Sequence, residues 1–202
     1  MNDREQTETW SLVAGDLALD FVNTVGGNES TAHLDAIATY ELLLVWSVRV
    51  GALAEDQAEA LRRRARRRAA EADEAMARVH ALRGSLYDLF LDLATGEPIN
   101  ESWANVRPEV ADAVARAEPV RDEAGIRWSW AGATELDAPL LPVAHAAATL
   151  VTSPQAALLR QCGRCRWLFV DHSRNHARRW CDMRTCGMAQ KVERQAERRR
   201  ES

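Results

Sequence analysis

The chain has 202 residues, 47% of them hydrophobic, which is enough for a main domain of ordinary size plus a small appendage and too apolar for a wholly disordered protein. Its formal charge is −4, but residues from Arg160 onward carry 12 basic and 5 acidic groups, net +7, leaving −11 on residues 1–159; an acidic body with a basic tail is the asymmetry of a chain whose one end meets a polyanion. The start, Met1-Asn2-Asp3-Arg4-Glu5, is charged with no apolar stretch behind it, and the densest apolar run, residues 42–48, is too short to span a bilayer, so a cytoplasmic protein without a membrane anchor is expected.

In chain order, residues 1–9 are polar and expected to fray. From Trp10 to Thr24, the residues Leu12, Val13, Leu17, Leu19, Phe21 and Val22 mix short-strand and buried-helix character, and both readings stay open. After a Gly26-Gly27-Asn28 link, Leu34, Ile37, Leu44, Val45 and Val48 fall near helical spacing up to Gly51, predicting a helix through the forties. Residues 55–94 contain no proline and predict one long helix or two in succession, with Leu82, Leu86, Leu89, Phe90 and Leu93 on one face and Gly96 as the stop. The runs Arg62-Arg63-Arg64 and Arg66-Arg67-Arg68 are flanked by Glu55, Asp56, Glu59, Glu71, Asp73 and Glu74 at ion-pairing distances, so a solvated helical face is favoured there over nucleic acid.

Asn100 is placed to cap a helix through Trp103, Val106, Val110 and Val114. Residues 120–130 read as a hairpin turning at Gly125, with Ile126, Trp128 and Trp130 alternating. An Ala-rich apolar helix follows Asp137 and ends at Ser153-Pro154. The fold class is therefore mainly α with a small antiparallel β element: a multihelical domain over residues 1–155 and a treble-clef-like or knuckle-type finger over residues 156–202.

All four cysteines lie in that last segment, as Cys162-x2-Cys165, fifteen intervening residues, and Cys181-x4-Cys186. Two pairs at such spacing supply four thiolates for the tetrahedron zinc prefers, and one structural Zn2+ would let a segment with few core residues beyond Trp167, Leu168, Phe169 and Trp180 fold. Gly163 and Gly187 are expected to relieve the backbone and aim amides at sulfur. Two disulfides are disfavoured without a secretory signal. A two-Cys, two-His site using His172 and His176 would strand Cys181 and Cys186, and a redox role for Cys162-Gly163-Arg164-Cys165 lacks the usual βαβ context.

Arg174, Arg178 and Arg179 lie between the cysteine pairs. Residues 188–201 predict a helix with Met188, Val192 and Ala196 as a thin apolar seam and Lys191, Arg194 and Arg198 on another face, suited either to DNA phosphates or simply to solvent. In the body, Asp20, Asn23 and Thr24 sit together beside the glycine link, as small-molecule ligands or as turn-formers. His33, His80 and His145 have no partner at catalytic spacing, and phosphate-loop, nucleophile-elbow and metal-hydrolase motifs are absent, so an enzyme is not expected.

The run Phe169-Val170-Asp171-His172-Ser173-Arg174-Asn175, then Arg178-Arg179-Trp180-Cys181-Asp182-Met183 and Cys186-Gly187, resembles the CGNR zinc finger, and Leu19-Asp20-Phe21-Val22-Asn23-Thr24 resembles the opening of the ABATE domain that usually precedes it. The resemblance implies a stress-response transcription regulator of bacterial type, with DNA as the finger's partner and a small-molecule effector for the body. It also implies that Trp180 and Phe169 roof the zinc and that Asp171 braces Arg178 or Arg179. Where the family has Asn-Arg after Cys-Gly, this chain has Met188-Ala189, while Lys191 keeps its place; Met188 with Val192 suits a protein partner instead. A homodimer is compatible with a single finger of modest specificity.

Overall fold

The computed structural model describes residues 12–27, 34–123 and 125–200. The polar start, Trp10, Asn28 and His33 lie outside the described residues. Among the described residues the fold is mostly helical with two small antiparallel sheets, and no helix is long and apolar enough to cross a membrane.

The segment before Thr24 resolves into a short helix, α1 (Leu17–Val22), capped by Asp16, whose side chain accepts from the Ala18 N–H. Its Ala18, Leu19, Phe21 and Val22 are buried, with the Phe21 ring 5.6 Å from that of Trp46. Helix α2 (Tyr40–Arg49) starts later than the apolar spacing suggested, because Thr39 caps it through Leu42 N–H. Leu34 is thereby left exposed before the helix, and Ile37 is buried in the preceding turn.

The long apolar-periodic region forms two helices, α3 (Glu55–Arg67) and α4 (Ala69–Thr95), because Arg68 leaves helical geometry at φ −135, ψ 59. Gly96, at φ 78, closes α4 in the left-handed region that glycine enters without a Cβ penalty. Four arginines of the two runs form ion pairs: Arg62 with Glu41 and Glu59, Arg63 with Glu59, and Arg64 and Arg68 with Glu71. Helix α5 (Asn100–Ala115) includes Asn100 as its first residue; the capping position belongs to Ile99, without a side-chain bond.

Strands β1 (Glu118–Asp122) and β2 (Gly125–Ser129) form the expected hairpin, with Val120 opposite Arg127. Its alternation does not mark a fully buried face: Ile126 and Trp128 are 67% and 48% exposed. Trp128 and Trp130 instead lean on the half-buried His145 ring of α6 (Leu140–Thr152), and burial lowers that imidazole's pKa. Asp137, before α6, is held by Arg78 and Arg116. Ser153 and Pro154 then begin a 3-10 turn leading into β3 (Leu159–Gln161), which pairs with β4 (Leu168–Val170).

Helix α4 supplies much of the core through Val79, Leu86, Leu89 and Phe90, and α5 packs between it and α6. Leu159, Leu168 and Val170 belong to this same core. The β3–β4 hairpin, which opens the cysteine segment, is therefore part of the body's packing.

Candidate metal centre and basic helix

The β3–β4 hairpin carries Cys162 and Cys165 in its turn, which closes by a Cys162 N–H bond of 2.9 Å to the Trp167 carbonyl. Along β4 the period-two alternation separates two cores: Leu168 and Val170 face the helical body, while Phe169 faces a cluster of Cys162, Cys181 and Cys186 rimmed by Val13, Cys165, Trp167 and Trp180. After β4, buried Asp171 organises the loop by accepting from Ser173 N–H at 2.9 Å and Arg178 N–H at 3.0 Å. Burial opposes its charge, but these bonds outweigh it and hold the carboxyl below its usual range. The brace to Arg178 thus runs through the backbone amide, not through an ion pair with either guanidinium.

The second pair is set by Asp182, whose carboxylate caps the π-type turn Met183–Gly187 through Arg184 N–H. Helix α7 (Met188–Arg200) follows without a break. Gly163 and Gly187 serve close approach: a Cβ at Gly163 would meet the Trp180 ring at 3.1 Å, and one at Gly187 the Met183 sulfur at 2.8 Å. Their amides donate to the Arg179 and Asp182 carbonyls, contrary to the sulfur bonds expected of them.

The four cysteines are unbridged, and their sulfurs all lie within 4.8 Å of one another, with Cys165 to Cys181 and Cys181 to Cys186 both at 3.6 Å. Thiolates about 2.3 Å from a tetrahedral zinc stand about 3.8 Å apart, so the spacing fits that ion. The electrostatics fit as well. Hydrogen bonding with Cys165 and Cys181 draws the Cys162 thiol far below its ordinary pKa, while its bond with Cys162 pushes Cys165 up to about 12 and Cys181 is raised for the same reason. One thiolate suppresses the next, and a divalent cation is what allows all four to ionise together. His172 and His176 stand outside this ligand set, and the His176 Nδ1 lies 2.9 Å from the Asp171 carbonyl oxygen.

The body grips the finger at several points. The Asn23 side chain donates to the Leu168 carbonyl at 2.8 Å and accepts from Leu168 N–H at 3.0 Å, and the Trp167 indole donates to the Val25 carbonyl at 2.7 Å. Arg166 N–H donates to the Gly27 carbonyl at 2.7 Å and Val170 N–H to the Ala14 carbonyl at 2.9 Å. Gly27 packs so closely that a Cβ there would stand 3.1 Å from the Cys165 sulfur. Thr24 bonds the Phe21 carbonyl and receives Arg83, whose guanidinium also forks onto Asp35 at 2.6 and 2.8 Å. Asp20 accepts from Ala14 N–H at 3.1 Å. An open groove of about 600 Å³ in the body is lined by Tyr40, Glu41, Arg62, Arg66 and Asp73 among others, and by none of Asp20, Asn23 or Thr24.

Burial, assisted by nearby Asp16, raises the Asp20 carboxyl to about 6 although the Ala14 amide opposes the shift. A folded pKa above the unfolded value means that Asp20's contribution is fully present below about pH 4 and is lost as pH rises through about 6. Asp20→Asn, which keeps the acceptor and removes the charge, should raise the melting temperature at pH 7.5, and the gain should vanish below pH 4. A melting series over pH checks this; a gain independent of pH would refute it.

A family model described as "Putative stress-induced transcription regulator", ABATE, matches residues 15–154, and the CGNR zinc finger model matches residues 159–199. The chain belongs to the ABATE family. No match is found among curated proteins. In this ABATE protein the finger holds one structural zinc through Cys162, Cys165, Cys181 and Cys186. Zinc would neutralise the sulfurs and fix the two turns, while Phe169 and Trp180 pack over them.

The basic residues divide. Arg174, Arg179, Lys191, Arg194 and Arg198 are exposed, Arg179 lying over the Trp180 ring at 5.4 Å. Arg178 turns inward: it stacks 4.3 Å over Phe169 and donates to the Trp180, Val13 and Cys181 carbonyls, fastening the finger to residue 13 of the body. No side chain of α7 is buried. Of the seam read from the sequence, Met188 and Val192 are 53% and 56% exposed and Ala196 is exposed too, with Met183 beside it at 66%, so among the described residues nothing covers it. Helical spacing alone could not have revealed the inward roles of Arg178 and Asn23, which depend on contacts across the whole chain length.

Proposed function

We propose that the protein is a zinc-dependent transcription regulator whose finger binds duplex DNA through α7 and the loop before Cys181, with the ABATE body as scaffold. The carrying observation is the direction in which α7 presents its charge. Glu193 is turned to the first cysteine pair, where it meets Arg164, while Lys191, Arg194 and Arg198, spaced three and four apart, share another flank. A helix leaving directly from a zinc ligand turn, with a basic flank and exposed Met188, Val192 and Gln195, suits a groove lined by phosphates. Arg174 and Arg179 extend this surface from the loop, and Arg178 acts through the fold.

The test is duplex binding by the zinc-loaded protein, followed by fluorescence anisotropy over a salt series. For about four phosphate contacts, affinity should fall about tenfold for each doubling of salt, and Arg179→Ala with Arg194→Ala should flatten that slope. Absence of duplex binding, or an affinity indifferent to salt, would overturn the reading. The exposed seam of Met188, Val192 and Ala196, with Met183 beside it, favours a second reading, a protein partner, whose binding would depend far less on salt.

A further inference from the structure

The basic helix is tethered in an unusual way. With no fully buried side chain, and only Ala189 and Gln190 half-buried at its start, α7 has little packing to orient it, and a 13-residue helix is marginal by itself in water. Its backbone leaves the Met183–Gly187 turn, and in the second turn of the helix Glu193 receives both ends of the Arg164 guanidinium, each at 2.5 Å. Arg164 stands between zinc ligands Cys162 and Cys165, so the pair joins the first cysteine turn to a helix launched from the second. A forked arginine–carboxylate bond fixes direction as well as distance. The pair also leaves Arg164, an arginine of the basic segment, facing a carboxylate.

We propose that Arg164 and Glu193 are positioning residues that set the angle at which α7 meets DNA, an inference that rests on the DNA-binding reading above. Charge and position make opposite predictions here. Glu193→Gln removes a negative charge from the helix and releases Arg164, so counted as charge alone it should tighten DNA binding. If the pair sets the angle, binding weakens despite the added positive charge. Glu197, one turn along and exposed, provides the reference: Glu197→Gln makes the same charge change without touching Arg164.

The experiment compares duplex affinity at one salt concentration for wild type, Glu193→Gln, Glu197→Gln and Arg164→Lys, all confirmed to hold one zinc per chain, together with amide hydrogen exchange over residues 191–200 in the free protein. The expected result is binding two- to fivefold weaker in Glu193→Gln than in wild type, about the reach of an exposed pair, with Glu197→Gln equal to wild type or tighter. Arg164→Lys, which keeps the charge and loses the fork, should also weaken binding, and α7 exchange should rise in both variants of the pair. Glu193→Gln binding as tightly as Glu197→Gln overturns the proposal, whether or not exchange rises. If wild type binds no duplex, the DNA-binding reading fails on its own; the exchange data then stand alone, with faster exchange in Glu193→Gln retaining the pair as the orienting tether of α7 and unchanged exchange overturning it.

Discussion

Cys181→Ser is expected to abolish zinc binding and to destabilise the whole protein, not the finger alone. Cys181 lies within 3.6 Å of two other ligand sulfurs, and serine provides no comparable soft donor at neutral pH. Structural zinc sites contribute about 10–16 kcal/mol of apparent binding free energy, and little else in this segment could replace it. The effect should spread because the hairpin that bears Cys162 and Cys165 also places Leu159, Leu168 and Val170 in the body's core. Zinc content by mass spectrometry should fall from one per chain to near zero, and the thermal transition should broaden and move down. An intact melting temperature after zinc loss would show that the body does not need the finger.

Asn23→Ala should damage the body severely while leaving the cysteines untouched. The side chain is buried and satisfies both backbone groups of Leu168, so alanine leaves a buried N–H and a buried C=O without it. At about 1–3 kcal/mol for each orphaned group, the loss is about 2–6 kcal/mol, or roughly 4–24 °C of melting temperature for a chain of this size. Zinc transfer to a chromophoric chelator should accelerate in parallel, since β4 also presents Phe169 to the sulfurs. An unchanged melting temperature would return Asn23 to the ligand-binding role that its sequence neighbours Asp20 and Thr24 suggest. Ligand-free protein suffices for this comparison.

The cysteine spacing was legible because metal coordination is a local property: two turns and a loop bring the sulfurs together whatever the body does. The helices through the forties and along residues 55–95 were legible for a similar reason, since their apolar residues recur at helical intervals. What the sequence could not show was tertiary. Asn23 and Leu168 are 145 positions apart, and no period or spacing links them. Arg178 reads as one cation in a basic loop, yet the Phe169 ring and three carbonyls draw it inward. Ile126 and Trp128 alternate as buried strand residues do, but among the described residues little packs over that face of the two-stranded hairpin.

The division into a body and a finger is likewise clearer in the sequence than in the packing. The two family matches meet between residues 154 and 159. Across that point the 3-10 turn runs into β3, and one core continues through it. A signal that loosened residues 13–27 would therefore reach the zinc turns directly, through Val13, Asn23, Val25 and Gly27.

The measurement that bears most directly on the central claim is zinc K-edge X-ray absorption on the purified protein of 202 residues. Four sulfur neighbours at about 2.3 Å, with one zinc per chain, are the predicted result. Nitrogen or oxygen in the first coordination sphere, or protein that folds and melts cooperatively without zinc, would contradict the account.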